Sequence, residues 1–221
     1  MMRYLNAHPR ILVLKERYKY VPKNVVPEFF TYERVLARDP TETNKDGAGD
    51  EHNLAVKNLK ALRWFGDKTP GFIRHMPTLT KNNPGSRFIV MYRPLEEVAA
   101  SYAARAANPN DGWLGGQNGV GLAIMHWNAA YRDARQFAHQ RPRRVLVVDY
   151  ALLSAPEALA EKVGPFLNVR FGERVLESWE KDSRRFAARY HPFPLDAEDL
   201  RRIREGEDQE LGEWARAAGA P

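Results

Sequence analysis

Three short apolar segments, rich in β-branched residues, most constrain what this chain can fold into. They are residues 11–14, 88–92 and 145–148. None of them alternates with polar residues, which is typical of strands covered on both faces of a parallel sheet. Helical patterns separate the segments. The order of strand and helix therefore predicts an α/β fold of three layers, with a mostly parallel sheet flanked by helices.

The longest helical pattern runs over residues 122–138 and leads into the third apolar segment. Trp127 and Tyr131 are predicted to flank its apolar stripe. The stripe itself is predicted to contain Leu122, Met125, Ala129 and Phe137. Residues from about 172 to 221 are charged and helical in pattern, and Asp196 is a predicted helix cap. We expect a single domain over residues 1–221, with its core at about 3–168 and a helical C-terminal extension.

The composition excludes some classes of function but does not select a single one. A net charge of +6 is compatible with nucleic acid, a membrane surface or a small polyanionic ligand. The chain has no cysteine, which excludes disulfide scaffolds, thiolate zinc sites and cysteine nucleophiles. No apolar run approaches the ~18–20 residues of a membrane span, and the first residues lack the apolar core of a secretory signal. We therefore expect a cytoplasmic protein without membrane contact.

The second apolar segment ends at an arginine, Arg93, and a helix is predicted to begin at once with Pro94. Open α/β sheets bind ligands at the carboxyl ends of their strands. Ser101 lies about two turns into that helix, so its hydroxyl and the Arg93 guanidinium can converge on one anion. The alternative is an arginine that extends into solvent from a strand end and a serine that packs between helices.

Two further charged groups are candidates for chemistry. Lys68 lies between the turn residue Gly66 and Pro70, where it would be a positioned cation for an anionic group in transfer. Glu16 follows the first apolar segment, where a carboxylate can take a proton from an acceptor hydroxyl or amine. The alternatives are a solvated turn lysine and a surface glutamate paired with a neighbouring cation.

In this order, these motifs resemble the sulfotransferase family, whose donor is 3′-phosphoadenosine 5′-phosphosulfate. The likeness covers about residues 3–168 and implies the P-loop-like fold of that family. It implies that Glu16, at the matching distance from His8-Pro9, is the catalytic base. It also implies that Lys68 of Gly-Asp-Lys-Thr-Pro enters the active site, and that Arg93 and Ser101 bind the 3′-phosphate of the donor. No metal is expected, because the six histidines show no HxxxH or HExxH spacing.

The chain departs from the family pattern in two places. The third strand is usually followed by a Glu-Asp pair, which is absent after Tyr150, so we assign Tyr150 no role. The family also carries a strand and a glycine-rich loop, which holds the 5′-phosphosulfate, before the position where this chain begins. The resemblance therefore predicts a fold without that strand and loop, and unpaired edges on the neighbouring strands. We favour a sequence that starts at an internal methionine over a shortened, weak or inactive relative.

The predicted function is sulfuryl transfer to a hydroxyl or amine of a small molecule or glycan, and no oligomeric state is predicted. The alternatives are a remnant that only binds the donor, a P-loop kinase-like transferase and, with less support, a basic nucleic-acid-binding module. The segment 108–121 with Trp113 is a candidate lid. The candidate acceptor pocket, which could equally be ordinary core, contains the aromatic residues Tyr18, Tyr20, Phe29, Phe30 and Tyr32.

Overall fold

The computed structural model describes residues 1–43, 48–112, 114, 117–187 and 193–220. These residues form four short strands and ten α-helices, joined by turns and 3₁₀ segments. The strands are β1 (Ile11–Lys15), β2 (Trp64–Lys68), β3 (Phe88–Tyr92) and β4 (Val145–Asp149). The helices are α1 (Met2–Ala7), α2 (Tyr32–Leu36), α3 (Ala48–Val56), α4 (Met76–Asn82), α5 (Leu95–Ala106), α6 (Gly119–Gln140), α7 (Pro156–Leu167), α8 (Glu173–Ala187), α9 (Ala197–Gly206) and α10 (Gln209–Gly219). The predicted α/β class, with parallel strands flanked by helices, is confirmed; the relation to the P-loop fold stays a prediction.

The strands form two parallel pairs. β1 pairs with β2, with Leu14 opposite Asp67, and β3 pairs with β4, with Tyr92 opposite Asp149. All three apolar segments are confirmed as strands. The interpretation of Gly66 as a turn residue was wrong, because it lies in the middle of β2. Only two of the five β2 residues are apolar and the strand is half-buried over most of its length, so it lacks the apolar run that identified the other three.

The two strand pairs share apolar cores. One apolar core packs against both pairs and includes Ile11 of β1 and Val148 of β4. On the opposite face, Phe88 of β3 packs against the core beneath the first pair. The guanidinium of Arg87, just before β3, lies 5.1 Å from the ring centroid of Trp64, which begins β2. Among the described residues each strand pairs with only one other strand, so β2 and β3 each have one edge without a strand partner.

Side chains cover the outer edge of β1. The Asn6 amide donates to the Val13 carbonyl oxygen at 2.9 Å and accepts from the Val13 N–H at 2.7 Å. The Asp50 carboxylate accepts from the Lys15 N–H at 3.1 Å. Both peptide groups of Val13 are therefore satisfied by a single side chain from α1, as they would be by a neighbouring strand.

The long helix α6 turns a different face to the core from the predicted one. Met125 is 53% exposed, so its assignment to the apolar stripe was wrong, whereas Trp127 and Tyr131 are buried. Leu122 is half-buried. The two aromatic rings have partners at the end of β3, and these contacts determine which face turns inward.

The C-terminal helices pack on the same cores as the strands. Trp179 of α8 is fully buried, and its indole N–H donates to the Tyr4 carbonyl oxygen at 2.6 Å. Ala215 of α10 is buried in the core that covers β3 and β4. The predicted cap Asp196 is confirmed, because its carboxylate accepts from the Asp199 N–H at the start of α9. The division at about residue 168 stays a prediction.

No helix within the described part of the chain has both the length and the apolar character to cross a membrane. The cytoplasmic location stays a prediction.

Candidate active site

Glu16 follows the last residue of β1 in a backbone conformation that is unusual for its residue type. Its φ of +54° lies in the left-handed region, where a side chain crowds its own backbone at a cost of about 1 kcal/mol. The peptide groups of Glu16 hold this conformation. The Glu16 N–H donates to the Lys68 carbonyl oxygen at 3.0 Å, and the Thr43 hydroxyl donates to the Glu16 carbonyl oxygen at 2.7 Å.

The two N–H groups that follow Glu16 converge on one carboxylate, that of Asp67 in β2. The Arg17 N–H donates to Asp67 Oδ1 at 3.1 Å, and the Tyr18 N–H donates to Oδ2 at 3.0 Å. The Thr69 hydroxyl also donates to Oδ2, at 2.9 Å. Burial raises the pKa of the Asp67 carboxyl, and these three hydrogen bonds oppose that shift. Consecutive N–H groups next to a left-handed residue form an anion-binding concavity, and Asp67 fills it.

The side chain of Glu16 meets that of Lys68 across the two strand ends. Lys68 Nζ donates to Glu16 Oε1 at 2.9 Å, and Lys19 Nζ lies 3.9 Å from Oε2. The Glu16 side chain is 13% exposed, whereas the Lys68 side chain is 48% exposed. The structure thus brings together the predicted base and the predicted cation, although they lie 52 positions apart in sequence.

A buried ion network supports the turn after Glu16 from below. The Arg17 guanidinium donates to Glu42 at 2.6 Å and to the Val35 carbonyl oxygen at 3.2 Å. Arg34 also pairs with Glu42. The side chains of Arg17 and Glu42 are 2% and 5% exposed, so each charge depends on the other for compensation. This network is specific to the fold and has no local sequence signal.

Arg93 is fixed through its backbone at the end of β3. The Tyr131 hydroxyl donates to the Met91 carbonyl oxygen at 2.8 Å and accepts from the Arg93 N–H at 3.1 Å. The Trp127 indole N–H donates to the Arg93 carbonyl oxygen at 2.9 Å. Burial raises the pKa of the Tyr131 hydroxyl, which therefore stays protonated and able to donate.

The Arg93 side chain is held on the face of α5 that carries Ser101. Arg93 Nε donates to Glu97 Oε2 at 2.9 Å, and the guanidinium lies 5.0 Å from the ring centroid of Tyr150. Residues four apart share one face of a helix, so Glu97 and Ser101 lie one turn apart on that face. Ser101 is exposed, and its side chain is not brought to Arg93 by a direct hydrogen bond. Sequence reasoning assigned no role to Tyr150 and did not identify Glu97.

The two groups of residues flank α1. The Met1 amino group is close enough to Lys68 for the two positive charges to repel. Further along the helix, Tyr4 lies close to Tyr150, which stacks on Arg93. The Tyr4 hydroxyl also donates to the Leu153 carbonyl oxygen at 2.6 Å, just after β4. The N-terminal helix therefore lies near Lys68 at its start and contacts the segment after β4 through Tyr4.

The remaining predicted residues lie elsewhere. Tyr18 is fully buried in the core, where Phe29 and Phe30 pack around it, so it does not line a pocket. Tyr20 and Tyr32 are exposed. His8 is a structural residue: its ring lies edge-on to Phe171 near the amino end of β1. Trp113 of the candidate lid lies outside the described residues.

One open cavity of about 800 Å³ lies at the opposite end of the sheet, beside Arg10, Pro165 and Arg170. None of the four predicted site residues lines it. In the described ranges, no group of three or more histidine and acidic side chains is arranged to hold a metal ion.

The chain is an α/β protein with charged side chains at the carboxyl ends of its strands, which is where open α/β sheets bind ligands. The sequence model of the sulfotransferase family matches residues 1–173. This chain belongs to the sulfotransferase family, a family of transferases. None of the curated proteins matches the chain significantly.

The fold has a solved counterpart. The structure of the sulfotransferase domain from the curacin biosynthetic pathway is similar, with a TM-score of 0.51 over 94% of each chain. The two chains are 16% identical, so the similarity concerns the fold alone.

Proposed function

We propose that this chain transfers a sulfuryl group from 3′-phosphoadenosine 5′-phosphosulfate to a hydroxyl or amine of a small molecule or glycan. The observation that carries the proposal is the Glu16–Lys68 pair, at 2.9 Å, in a chain of the sulfotransferase family. A carboxylate and an ammonium group held at adjacent strand ends are the base and cation that transfer between an anionic donor and a neutral acceptor requires.

Glu16 has the geometry for a general base. Its carboxylate is largely buried and its backbone is fixed by three residues. The nearer of its two lysine partners is the more exposed Lys68, at 2.9 Å, and Lys19 lies 3.9 Å away. When an acceptor hydroxyl or amine hydrogen-bonds to Glu16, the carboxylate can take its proton. The Lys68 ammonium group is then available to neutralise negative charge on the group in transfer.

Arg93 and Ser101 provide donor groups that suit a phosphate. A guanidinium offers a planar fork of N–H groups and a serine offers a hydroxyl, both of which hydrogen-bond to phosphate oxygens. Arg93 already binds an anionic group, the Glu97 carboxylate, on the face that carries Ser101. A 3′-phosphate in place of that carboxylate would give Arg93 an anionic partner of at least equal charge. When bound, the donor supplies an activated sulfuryl group.

The nucleic-acid alternative finds little support in the surface charges. Arg201 on α9 pairs with Glu198 and Glu205, and Arg202 pairs with Glu198. This basic cluster of the sequence is thus balanced by acidic neighbours. A kinase-like transferase would use ATP as its donor, so nucleotide titration distinguishes it from a sulfotransferase.

Calorimetric titration of the chain with 3′-phosphoadenosine 5′-phosphate tests the proposal, with adenosine monophosphate and ATP as comparison ligands. We expect selective binding of the 3′-phosphorylated nucleotide. Arg93→Ala should raise the dissociation constant about 10- to 100-fold, because charge-assisted hydrogen bonds are lost. Arg132→Ala, which removes an exposed arginine of α6 that pairs with Asp208, is the matched control and should bind normally.

Two results would contradict the proposal. One is preferential binding of ATP, which favours the kinase-like transferase. The other is an absence of nucleotide binding by a chain that unfolds cooperatively.

A further inference from the structure

We propose that Asp67 is the positioning residue for Glu16, and that it acts through the main chain rather than on the substrate. The inference rests on the proposed function, in which Glu16 is the base. It assigns a role to a residue that lies next to the predicted cation Lys68 but faces away from it, since successive residues of a strand point to opposite faces.

Asp67 connects β2 to the turn that carries the base. Its two carboxylate oxygens accept from the N–H groups of Arg17 and Tyr18, the two residues directly after Glu16. These N–H groups point the same way because Glu16 has a positive φ. The carboxylate and the left-handed turn therefore depend on each other: without the anion, the two N–H groups would lose their common acceptor and the turn its stabilisation.

The direction of the Glu16 side chain follows from the same turn. In an ordinary extended conformation the residue would continue β1, and its side chain would follow the alternation of the strand. The left-handed conformation redirects it toward Lys68, where the pair closes at 2.9 Å. Two neighbouring residues of β2 therefore position Glu16. Asp67 binds the main chain that follows Glu16, and Lys68 donates to the Glu16 carboxylate.

A carboxylate is required at position 67 because of the number of donors. Oδ1 accepts one N–H group, while Oδ2 accepts a second N–H group and the Thr69 hydroxyl. An asparagine has one acceptor oxygen and one NH₂ group, which cannot accept. Asp67→Asn therefore keeps the shape of the side chain but forces an NH₂ group against one of the two main-chain donors.

Asp50 provides a matched control on the other side of Glu16. Within the described ranges, the one main-chain N–H that its buried carboxylate accepts is that of Lys15, at 3.1 Å to Oδ1 and 3.3 Å to Oδ2. The single oxygen of an asparagine can keep that bond. Asp50→Asn thus removes the same charge from the same strand end but preserves the main-chain contact.

The experiment compares Asp67→Asn and Asp50→Asn with the wild-type chain, each alone and combined with Glu16→Gln. Turnover is followed as release of 3′-phosphoadenosine 5′-phosphate, with 4-nitrophenol and chitobiose as probe acceptors. We expect Asp67→Asn to lower kcat about 10- to 100-fold, the scale of a displaced catalytic group, with nucleotide affinity unchanged. Asp50→Asn should retain wild-type kcat.

The double variants separate positioning from general damage. If Asp67 acts through Glu16, Asp67→Asn lowers kcat no further once Glu16 is already glutamine. A full additional loss in that background, or equal kcat values for Asp67→Asn and Asp50→Asn, would overturn the proposal.

Amide hydrogen exchange measured by NMR gives a readout independent of activity. The amides of Arg17 and Tyr18 should exchange faster in Asp67→Asn than in the wild type, and unchanged exchange would refute the proposed contact. If the wild-type chain neither binds nucleotide nor turns over, the proposed function fails. Amide exchange then decides separately whether Asp67 holds the turn.

Discussion

The two halves of the candidate site are built in opposite ways. At the ends of β1 and β2, Glu16 and Lys68 pair with each other across 52 positions of sequence. At the end of β3, Arg93 pairs with Glu97, four positions along its own chain. The first pair depends on the tertiary fold, whereas the second needs only one turn of α5.

This difference separates a preorganised half from an exchangeable one. The glutamate of the first pair is 13% exposed, and its turn is held by main-chain hydrogen bonds. The glutamate of the second pair is 39% exposed, and such pairs contribute little net energy. A ligand anion can therefore displace Glu97 at little cost in free energy, whereas the turn that carries Glu16 is fixed by the fold itself.

The largest effect should follow from removing the base. Glu16→Gln keeps the size of the side chain but cannot take a proton, so turnover should fall about 10²- to 10⁴-fold. Donor affinity should stay near that of the wild type, because Arg93 is untouched. Steady-state kinetics together with calorimetry measure both quantities, and Glu28→Gln on the exposed surface is the control. Normal turnover of Glu16→Gln would show that Glu16 is not the base.

The next effect concerns stability and tests whether the buried Arg17–Glu42 pair supports the turn after Glu16. Glu42→Gln leaves the buried charge of Arg17 without its partner, and we expect a loss of about 3–5 kcal/mol in the free energy of unfolding. Urea denaturation measures this loss. Glu198→Gln is the matched control, since Glu198 also contacts two arginines but on the exposed face of α9. Equal midpoints for the two variants would show that the Glu42 network does not support the turn.

The smallest effect tests the exchangeable half. Glu97→Gln removes the carboxylate that competes for Arg93, so 3′-phosphoadenosine 5′-phosphate should bind about twofold more tightly, in line with the small worth of an exposed pair. Glu96→Gln removes a charge from the same helical turn without a contact to Arg93 and serves as the control. Weaker binding by Glu97→Gln alone would mean that Glu97 orients Arg93 for the ligand and does not compete with it.

The elements predicted from sequence are those with a local signal. Uninterrupted apolar runs identified β1, β3 and β4 to within one residue, and the capping side chain of Asp196 lies where its sequence context indicated. β2 was missed because Trp64-Phe65-Gly66-Asp67-Lys68 contains two charges and a glycine. Its strand conformation comes from pairing with β1, which no local pattern reports.

The same limit applies to the site. Glu16, Lys68, Arg93 and Ser101 were predicted as site residues from their motifs, and the structure brings the first two into contact. The positive φ of Glu16 and the contact to Asp67 had no signal, because both depend on residues about 50 positions away. Tyr131 was recognised only as part of a helix, since a hydroxyl that bridges two peptide groups at the end of β3 follows from packing alone.

The Asn6 amide has a consequence for how the molecule behaves among its own copies. An open strand edge is a template for pairing with another chain and so for aggregation. At Val13, both peptide groups on the outer edge of β1 are occupied by Asn6, and the neighbouring N–H of Lys15 is occupied by Asp50. These side chains occupy the edge in place of a covering strand. The edge of β1 is therefore protected from pairing with another copy of the chain.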